Sequence, residues 1–326
     1  MSPGELAVVC ARFDIGRITA VGPLALGQGV REKVLIETDR GKYVLKRHAT
    51  RERDTVAVSH EVVLRLEAEG LPVAPLVGTR EGNASLTEHG PWVYELMGFV
   101  EGDRPSGSVE DSDLAGEALG RVHEALRGWR PARALAEEGY HSTPRVRSAL
   151  RRCGQAHGRA LGDDLAARYE RAAAAVEKAG VKTWAREPMH GDWHPGNVVL
   201  RDGRVVGMLD FDAVRMGAAA CDLARALVWF GLAGRPTLAA WRDGLDVSLV
   251  RGFASGYQRS AGKLDKAQRV ALPALMVESL IAEGALRVAE AGRFGRYSAE
   301  AFLGTAVALA ASIEDGAGPL SKALRG

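Results

Sequence analysis

Between Met189 and Asp212 the chain reads MHGDWHPGNVVLRDGRVVGMLDFD, gathering carboxylates, an amide and two histidines around one expected hairpin. Asp192 and Asn197 stand five residues apart in a turn-rich segment with Gly191, Pro195 and Gly196. Residues 198–200 and 205–209 read as short apolar strands. Asp202-Gly203 between them favours a tight hairpin turn, because both residue types tolerate positive φ. Such a hairpin brings the loop before its first strand alongside Asp210, just past its second. Magnesium takes hard oxygen ligands, keeps several waters, and needs one or two carboxylates beside substrate phosphates. Asn197 and Asp210 suffice for that. Asp192 is then left to accept a hydrogen bond from a hydroxyl attacking a phosphoryl group. The competing reading, an acidic hairpin whose aspartates merely cap turns, requires several independent positions to coincide.

The spacing D-x-x-x-x-N followed by D-F-x matches the catalytic loop and metal-binding turn of phosphoryl-transfer enzymes. More specifically, His190-Gly191-Asp192-Trp193-His194-Pro195-Gly196-Asn197 followed by Leu209-Asp210-Phe211-Asp212 resembles the aminoglycoside phosphotransferase and choline kinase-like family. The resemblance implies an α+β, two-lobed protein-kinase-like fold. An N-terminal antiparallel sheet with one main helix would precede a mainly helical C-terminal lobe. It also implies ATP- or GTP-dependent transfer to a hydroxyl of a small molecule. Asp192 matches the catalytic aspartate, Asn197 and Asp210 the magnesium ligands, and His190 and His194 structural positions near the site. Asp212, where many relatives carry a different pair of residues after the first aspartate, is compatible with a second metal or substrate contact. That departure points away from the closest antibiotic-modifying relatives and toward those acting on homoserine-like compounds, sugars or other metabolites. Asp222 matches a buried aspartate at the start of the next helix, where a backbone-capping role is expected.

A nucleotide kinase also needs a phosphate-binding half. From Ile18 to Arg47 the pattern is strand, glycine turn, strand, turn, strand. Gly27 and Gly29 in the first turn would let backbone amides approach phosphates, although Glu32 stands where the kinase template has a third glycine. A plain hairpin turn is the equal alternative. Lys46 ends an alternating strand with Tyr43, Val44 and Leu45, the position of the lysine that reaches the α- and β-phosphates. Residues 52–69 have helical periodicity through Val56, Val62, Val63 and Leu66, and Glu61 is expected to aim its carboxylate back at Lys46. The strand running into Gly98 resembles the interlobe hinge, so the backbone from Glu95 to Met97 is expected to bond the adenine edge. The expected division is residues 1–97 for the nucleotide lobe, 98–103 for the hinge and 104–326 for the lobe with the catalytic hairpin and acceptor site.

Composition agrees with two cores, since 326 residues exceed what one core normally serves. The formal charge is +2, from 43 basic and 41 acidic residues, and the arginines are dispersed. Neither nucleic-acid nor membrane partners are indicated. The three cysteines, Cys10, Cys153 and Cys221, are too scattered for a disulfide framework or zinc site, which makes a reducing cytoplasm the default. No run of about 18 apolar residues and no leader-like segment is evident.

The second half reads as helical, with helices expected over 161–179, 222–230, 241–257, 267–291 and 299–313, and one capped by Ser112-Asp113. His123 in that last helix is expected to be a packing or hydrogen-bonded residue. The acceptor's charge is open at this level. Asp212, Glu278, Glu283 and Glu290 would suit a cationic acceptor, whereas Arg225, Arg287, Arg293 and Arg296 would suit a carboxylate or phosphate. The expected chemistry is direct in-line transfer with ATP or GTP and magnesium to an antibiotic or a metabolite such as homoserine, an amino alcohol or a sugar. The rivals are a non-catalytic nucleotide-binding regulator, which need not keep Asp192, and a protein kinase, whose A-P-E signature is missing after Asp210.

Overall fold

The computed structural model describes residues 1–24 and 32–324, so the expected phosphate loop at Gly27 and Gly29 lies outside the described residues. A capped helix α1 (Pro3–Cys10) leads into β1 (Ile18–Pro23), β2 (Lys33–Thr38) and β3 (Gly41–Ala49), then helix α2 (Arg53–Ala68), then β4 (Thr87–His89) and β5 (Trp92–Gly98). The strands make one antiparallel sheet in the order β1-β2-β3-β5-β4. Because strand side chains alternate faces, Ile36, Leu45, Tyr94 and Leu96 point one way, where they bury against Val9 and Phe13. Lys46, His48 and Glu95 take the other face, and all three are buried. Lys46 and Glu95 are direct partners across the β3–β5 ladder. A one-residue slip would exchange these polar side chains for Leu45 and Leu96, so the apolar pattern also fixes the polar register.

Helix α2 buries Val56, Ser59, His60, Val62, Val63 and Leu66. At about 100° per residue, the centre of that stripe lies roughly half a turn from Glu61. The carboxylate accordingly points away from Lys46 and instead accepts bonds from the Ala132 amide and the Arg133 guanidinium, both at 2.7 Å. The expected Glu61–Lys46 pair is therefore absent. Glu61 follows His60 and precedes Val62 in sequence, but on a helix such neighbours do not share its direction.

Past the sheet come α3 (Val109–Leu126), α4 (Pro144–His157) and α5 (Arg159–Lys178). Four short strands follow, β6 (Glu187–Met189), β7 (Val198–Arg201), β8 (Arg204–Met208) and β9 (Arg215–Gly217). The chain ends in α6 (Ala219–Gly231), α7 (Leu238–Trp241), α8 (Val247–Ala261), α9 (Lys266–Ala291), the two-residue pair β10 (Arg293–Phe294) and β11 (Tyr297–Ser298), α10 (Ala299–Asp315) and α11 (Ala317–Ala323). Their apolar faces form one large core that includes Leu119, Trp193, Leu227, Phe253 and Leu280. The fold is thus α+β with the sheet at the N-terminal end and helices beyond it. Helices α3 and α8 approach closely at Gly116, where a Cβ would lie 2.0 Å from the Phe253 carbonyl oxygen. The larger differences from expectation concern α3, the span 241–257 and α4. Helix α3 starts at Val109 with Ser108 as its cap, rather than at Ser112-Asp113. Residues 241–257 are divided between α7 and α8, and α4, with its arginine-rich exposed side, was not anticipated.

All three cysteines are free, and burial pushes the Cys10 thiol up to about 11. Among the described residues no helix is long and apolar enough to cross a membrane.

Candidate active site

The central hairpin forms as the sequence requires. β7 and β8 pair antiparallel, and the turn residues Asp202 and Gly203 have φ of 52° and 69°, the left-handed values of a tight hairpin turn. On one side of the hairpin, residues 190–197 form the loop leading in from β6. On the other, Asp210 adopts φ 62° and ψ 60° before a short 3₁₀ turn, Phe211–Ala213. Loop and turn are tied together. The Leu209 amide donates to the Asn197 carbonyl at 2.9 Å, Asn197 Nδ2 donates to the Asp192 carbonyl at 2.8 Å, and His190 Nε2 donates to the Leu209 carbonyl at 3.0 Å. Asn197 therefore spends its amide nitrogen on the loop and keeps its oxygen for another partner.

His190 is fully buried. Its Nδ1 accepts from the Asp192 amide at 3.2 Å, and burial pushes its pKa down, against the nearby Asp222 and Asp192 charges, so the ring is neutral. His194 Nδ1 accepts from the Gly196 amide at 3.0 Å, which fixes the turn. Both histidines bond backbone of the loop and its neighbouring turn. Asp222 has a different part from the one expected. It sits in the first turn of α6 but does not cap that helix; its two oxygens accept from the His190 amide at 2.9 Å and the Gly191 amide at 3.0 Å. His123 Nε2 donates to the same carboxylate at 3.1 Å, and its Nδ1 meets the Tyr257 hydroxyl at 2.8 Å.

Asp192 is held by a residue whose part was not foreseen. Arg225, from α6, donates Nη2 to Asp192 Oδ1 at 2.6 Å and Nη1 to the Gly191 carbonyl, while its Nε and Nη2 also contact Glu283 of α9 at 3.1 and 2.9 Å. Arg287 Nε bonds Glu283 at 3.1 Å, and its Nη2 lies 4.0 Å from Asp192 Oδ2. Burial would raise the Asp192 carboxyl, but the Arg225 charge outweighs it and holds the group below its ordinary value. Arg225 thus takes Asp192 Oδ1, while Oδ2 faces Arg287.

On the sheet side, Lys46 is 1% exposed and its ammonium meets three carboxylates: Asp212 at 2.5 Å, Asp210 at 2.9 Å and Glu95 at 3.5 Å. Burial opposes the charge, yet these neighbours raise the lysine pKa above its ordinary range. Lys33, on β2, also pairs with Asp210 at 2.9 Å, so each oxygen of Asp210 faces a cation. Asp210, Asp212 and the Asn197 amide offer oxygen donors of the kind a hard divalent cation takes, with Lys33 and Lys46 now on the two aspartates.

The expected hinge also changes. The Val77 amide donates to the Leu96 carbonyl and the Gly98 amide to the Pro75 carbonyl, both at 2.8 Å, so Leu96 and Gly98 face away from β3. Since antiparallel residues alternate in this respect, the backbone groups of Glu95 and Met97 turn toward Lys46 and Val44 and are consumed by the ladder. Their contributions are through side chains: Glu95 to Lys46, and Met97 to a small cleft that Lys46, Leu76, Met208 and Asp210 also line.

Comparison with known proteins agrees with this geometry. The profile described as the phosphotransferase enzyme family, APH, matches residues 21–266. A homoserine kinase of Granulibacter bethesdensis is 28% identical over 276 residues, covering 83% of this chain and 81% of that protein. Stress response kinase A of Salmonella choleraesuis is 29% identical over 203 residues, 57% of this chain and 56% of that one. Among solved structures, a microcompartment-associated aminopropanol kinase superposes with a TM-score of 0.73 at 17% identity, covering 98% of both chains. Spectinomycin phosphotransferase APH(9)-Ia, in complex with ADP and spectinomycin, gives a TM-score of 0.66 at 14% identity over 96% of this chain and 98% of that one. With its protein-kinase-like architecture and its matched residues, the chain belongs to the phosphotransferase enzyme family and is an ATP-dependent phosphotransferase acting on hydroxyl groups.

Proposed function

We propose that the chain is a small-molecule kinase in which Asp192 orients the acceptor hydroxyl and takes up its proton late in an in-line transfer of the γ-phosphate of ATP or GTP. Lys46 fixes the nucleotide phosphates. Asn197 and Asp210, with Asp212 as a further contact, are the residues that would hold magnesium, whose chemistry when bound is to neutralise charge on the phosphates. The observation that carries this reading is the chain of contacts that links Asp192 to Asn197, Asn197 to the turn holding Asp210, and Asp210 to Lys46. No covalent phosphoenzyme is expected, because the motif from Met189 to Asp212 contains no serine or cysteine. We take residues 1–97 as the nucleotide lobe, 98–103 as the hinge and 104–326 as the acceptor lobe. With the backbone of Glu95 and Met97 and the amides of Gly98 and Phe99 engaged, the backbone beyond Phe99 is left to read the adenine edge.

The acceptor is a small hydroxylated metabolite that carries an anionic group. Of the carboxylates that a cationic acceptor would need, Asp212 is paired with Lys46, Glu278 with His141 and the Ser142 amide, and Glu283 with Arg225, Arg287 and Trp229. Arg287 is 45% exposed and stands beside the second oxygen of Asp192, where a carboxylate next to the reacting hydroxyl would find it. The similarity to proteins named homoserine kinase agrees with a hydroxylated amino acid. Magnesium-dependent ADP release, measured across hydroxy amino acids, amino alcohols, sugars and antibiotics with Asp192→Asn as the blank, tests both statements. Turnover confined to carboxylate-bearing acceptors is the expected result, and turnover only with aminoglycosides or other antibiotics would contradict the acceptor assignment.

A further inference from the structure

The most unusual cluster outside the catalytic loop lies under the sheet. Glu95 is 2% exposed, and both of its oxygens are in use. Oε1 meets His48 Nε2 at 2.7 Å and the Lys46 ammonium at 3.5 Å; Oε2 meets His60 Nε2 at 2.5 Å. An ionised carboxylate only accepts, so both histidines must donate from Nε2, and His60 Nδ1 meets the Ser85 hydroxyl at 2.8 Å. Burial would raise the Glu95 carboxyl, but the Lys46 charge and the two histidine bonds hold it well below its ordinary range. His48, Glu95 and Asp212 bring donor atoms within 4.8 Å of one another, as a metal site would. The cation serving that set is the Lys46 ammonium, which contacts both carboxylates.

The three partners of Lys46 are not equivalent. The side chains of Asp210 and Asp212 are 29% and 11% exposed and belong to the turn that faces substrate phosphates. Glu95 is on a central strand, directly opposite Lys46 in the ladder, and clamped on two sides. When Asp210 and Asp212 are drawn to other charges, Glu95 is the partner whose position cannot change. Helix α2 still takes part, through the imidazole of His60 rather than through a carboxylate.

We propose that Glu95 is the positioning residue for Lys46, clamped by His48 and His60, and that this strand-borne carboxylate does the work that Glu61 cannot reach to do. This rests on the reading of Lys46 as the phosphate-binding lysine. The acceptor site is not involved, so the effect belongs to the nucleotide's phosphates alone.

The test compares Glu95→Gln, His60→Gln, Glu61→Gln, Lys46→Met and the Lys46→Met/Glu95→Gln double variant in full-length protein, after their thermal melts have shown which are folded. For Glu95→Gln, kcat/KM for ATP should fall at least tenfold and ADP should bind more weakly. KM for the acceptor and the Kd of adenosine, which has no phosphates, should not change. Glu61→Gln should match the parent. In the Lys46→Met background, adding Glu95→Gln should cause no further loss, because Glu95 acts through the lysine. His60→Gln, which loosens the clamp but keeps the carboxylate, should reproduce a smaller loss and serves if Glu95→Gln does not fold. A Glu95→Gln or His60→Gln enzyme within twofold of the parent, an equal loss of adenosine binding, or a full additional loss in the Lys46→Met background would each overturn the proposal. If Lys46→Met alone leaves kcat/KM for ATP unchanged, the underlying assignment of Lys46 fails, and that of Glu95 with it.

Discussion

Arg225 Nη2 donates to Asp192 Oδ1 at 2.6 Å from a guanidinium that is 5% exposed, so the residue proposed to handle the proton is fixed from behind by a buried charge. The same guanidinium spans the Gly191 carbonyl and Glu283, tying the catalytic loop to α6 and α9. Replacing it with Met leaves Asp192 without its close cation and Glu283 with Arg287 and Trp229 alone. Breaking a buried pair by removing one partner costs about 3–5 kcal/mol. Arg225→Met is therefore expected to lower the melting temperature sharply and to reduce kcat in whatever fraction folds. Arg225→Lys cannot reproduce the fork geometry and should recover only part of the loss. A Met variant with parental melting temperature and kcat would show that the pair is idle.

Asp222 holds the loop by its backbone. Its loss would leave the His190 and Gly191 amides and His123 Nε2 unpaired in the interior, at about 1–3 kcal/mol for each unsatisfied group. Asp222→Ala should lose kcat through a displaced Asp192 while the Kd for ADP stays near parental in the folded fraction. Calorimetry with steady-state kinetics checks this; unchanged stability would mean that the amides find other partners.

Two glycines of the hairpin region should respond differently to alanine. Gly191 has φ 74°, and a Cβ there would lie 2.2 Å from the Ala213 carbonyl oxygen, whereas Gly203 has φ 69° in open space. The conformation alone costs about 1 kcal/mol, which is what Gly203→Ala should show. Gly191→Ala must also shift backbone, and is expected to abolish activity. Equal melting temperatures for the two variants would contradict the packing described.

The docking of α1 predicts a pH dependence. Glu5 accepts from the Tyr94 hydroxyl and from Arg47 at 2.8 Å. Burial alone would raise its carboxyl, but these bonds outweigh it and hold it at about 2, below the ordinary 4.5. A depressed carboxyl contributes stability above its unfolded value and loses it as pH falls through its folded value. The stability gap between parent and Glu5→Gln, followed by urea unfolding, should accordingly shrink from pH 4.5 toward 2. A gap that widens on acidification would refute the assignment.

Arg287 supplies the test of acceptor charge. A charged hydrogen bond contributes about 1.5–3 kcal/mol, so Arg287→Ala should raise KM for a carboxylate-bearing acceptor by roughly tenfold or more and leave KM for ATP alone. An unchanged acceptor KM would remove Arg287 from the acceptor site.

What the chain disclosed in one dimension follows from how far apart the cooperating residues lie. Asp192, Asn197 and Asp210 belong to one hairpin, so spacing and the Asp202-Gly203 turn were enough to bring them together. Lys46 was legible on its strand, although β3 runs on to Ala49 and places it inside rather than at the end. Its partner was not, because Glu95 meets it only through the register of two strands, and Glu95 looked like hinge backbone. Glu61 misled because the stripe of α2 is centred on residues that flank it only in sequence. Lys33 and Arg225 carried no local signal beyond charge; their contacts with Asp210 and Asp192 span 177 and 33 residues. Asp222 was recognised as buried, but its partners lie in the preceding loop rather than in its own helix.

The most direct test of the central claim is a paired measurement on Asp192→Asn: kcat for the acceptor found by the ADP-release panel, and the Kd for ADP with magnesium. A positioned proton acceptor contributes about 10²–10⁴-fold. The account predicts a kcat lower by at least two orders of magnitude with the Kd unchanged. Near-parental kcat in a folded Asp192→Asn protein would contradict it.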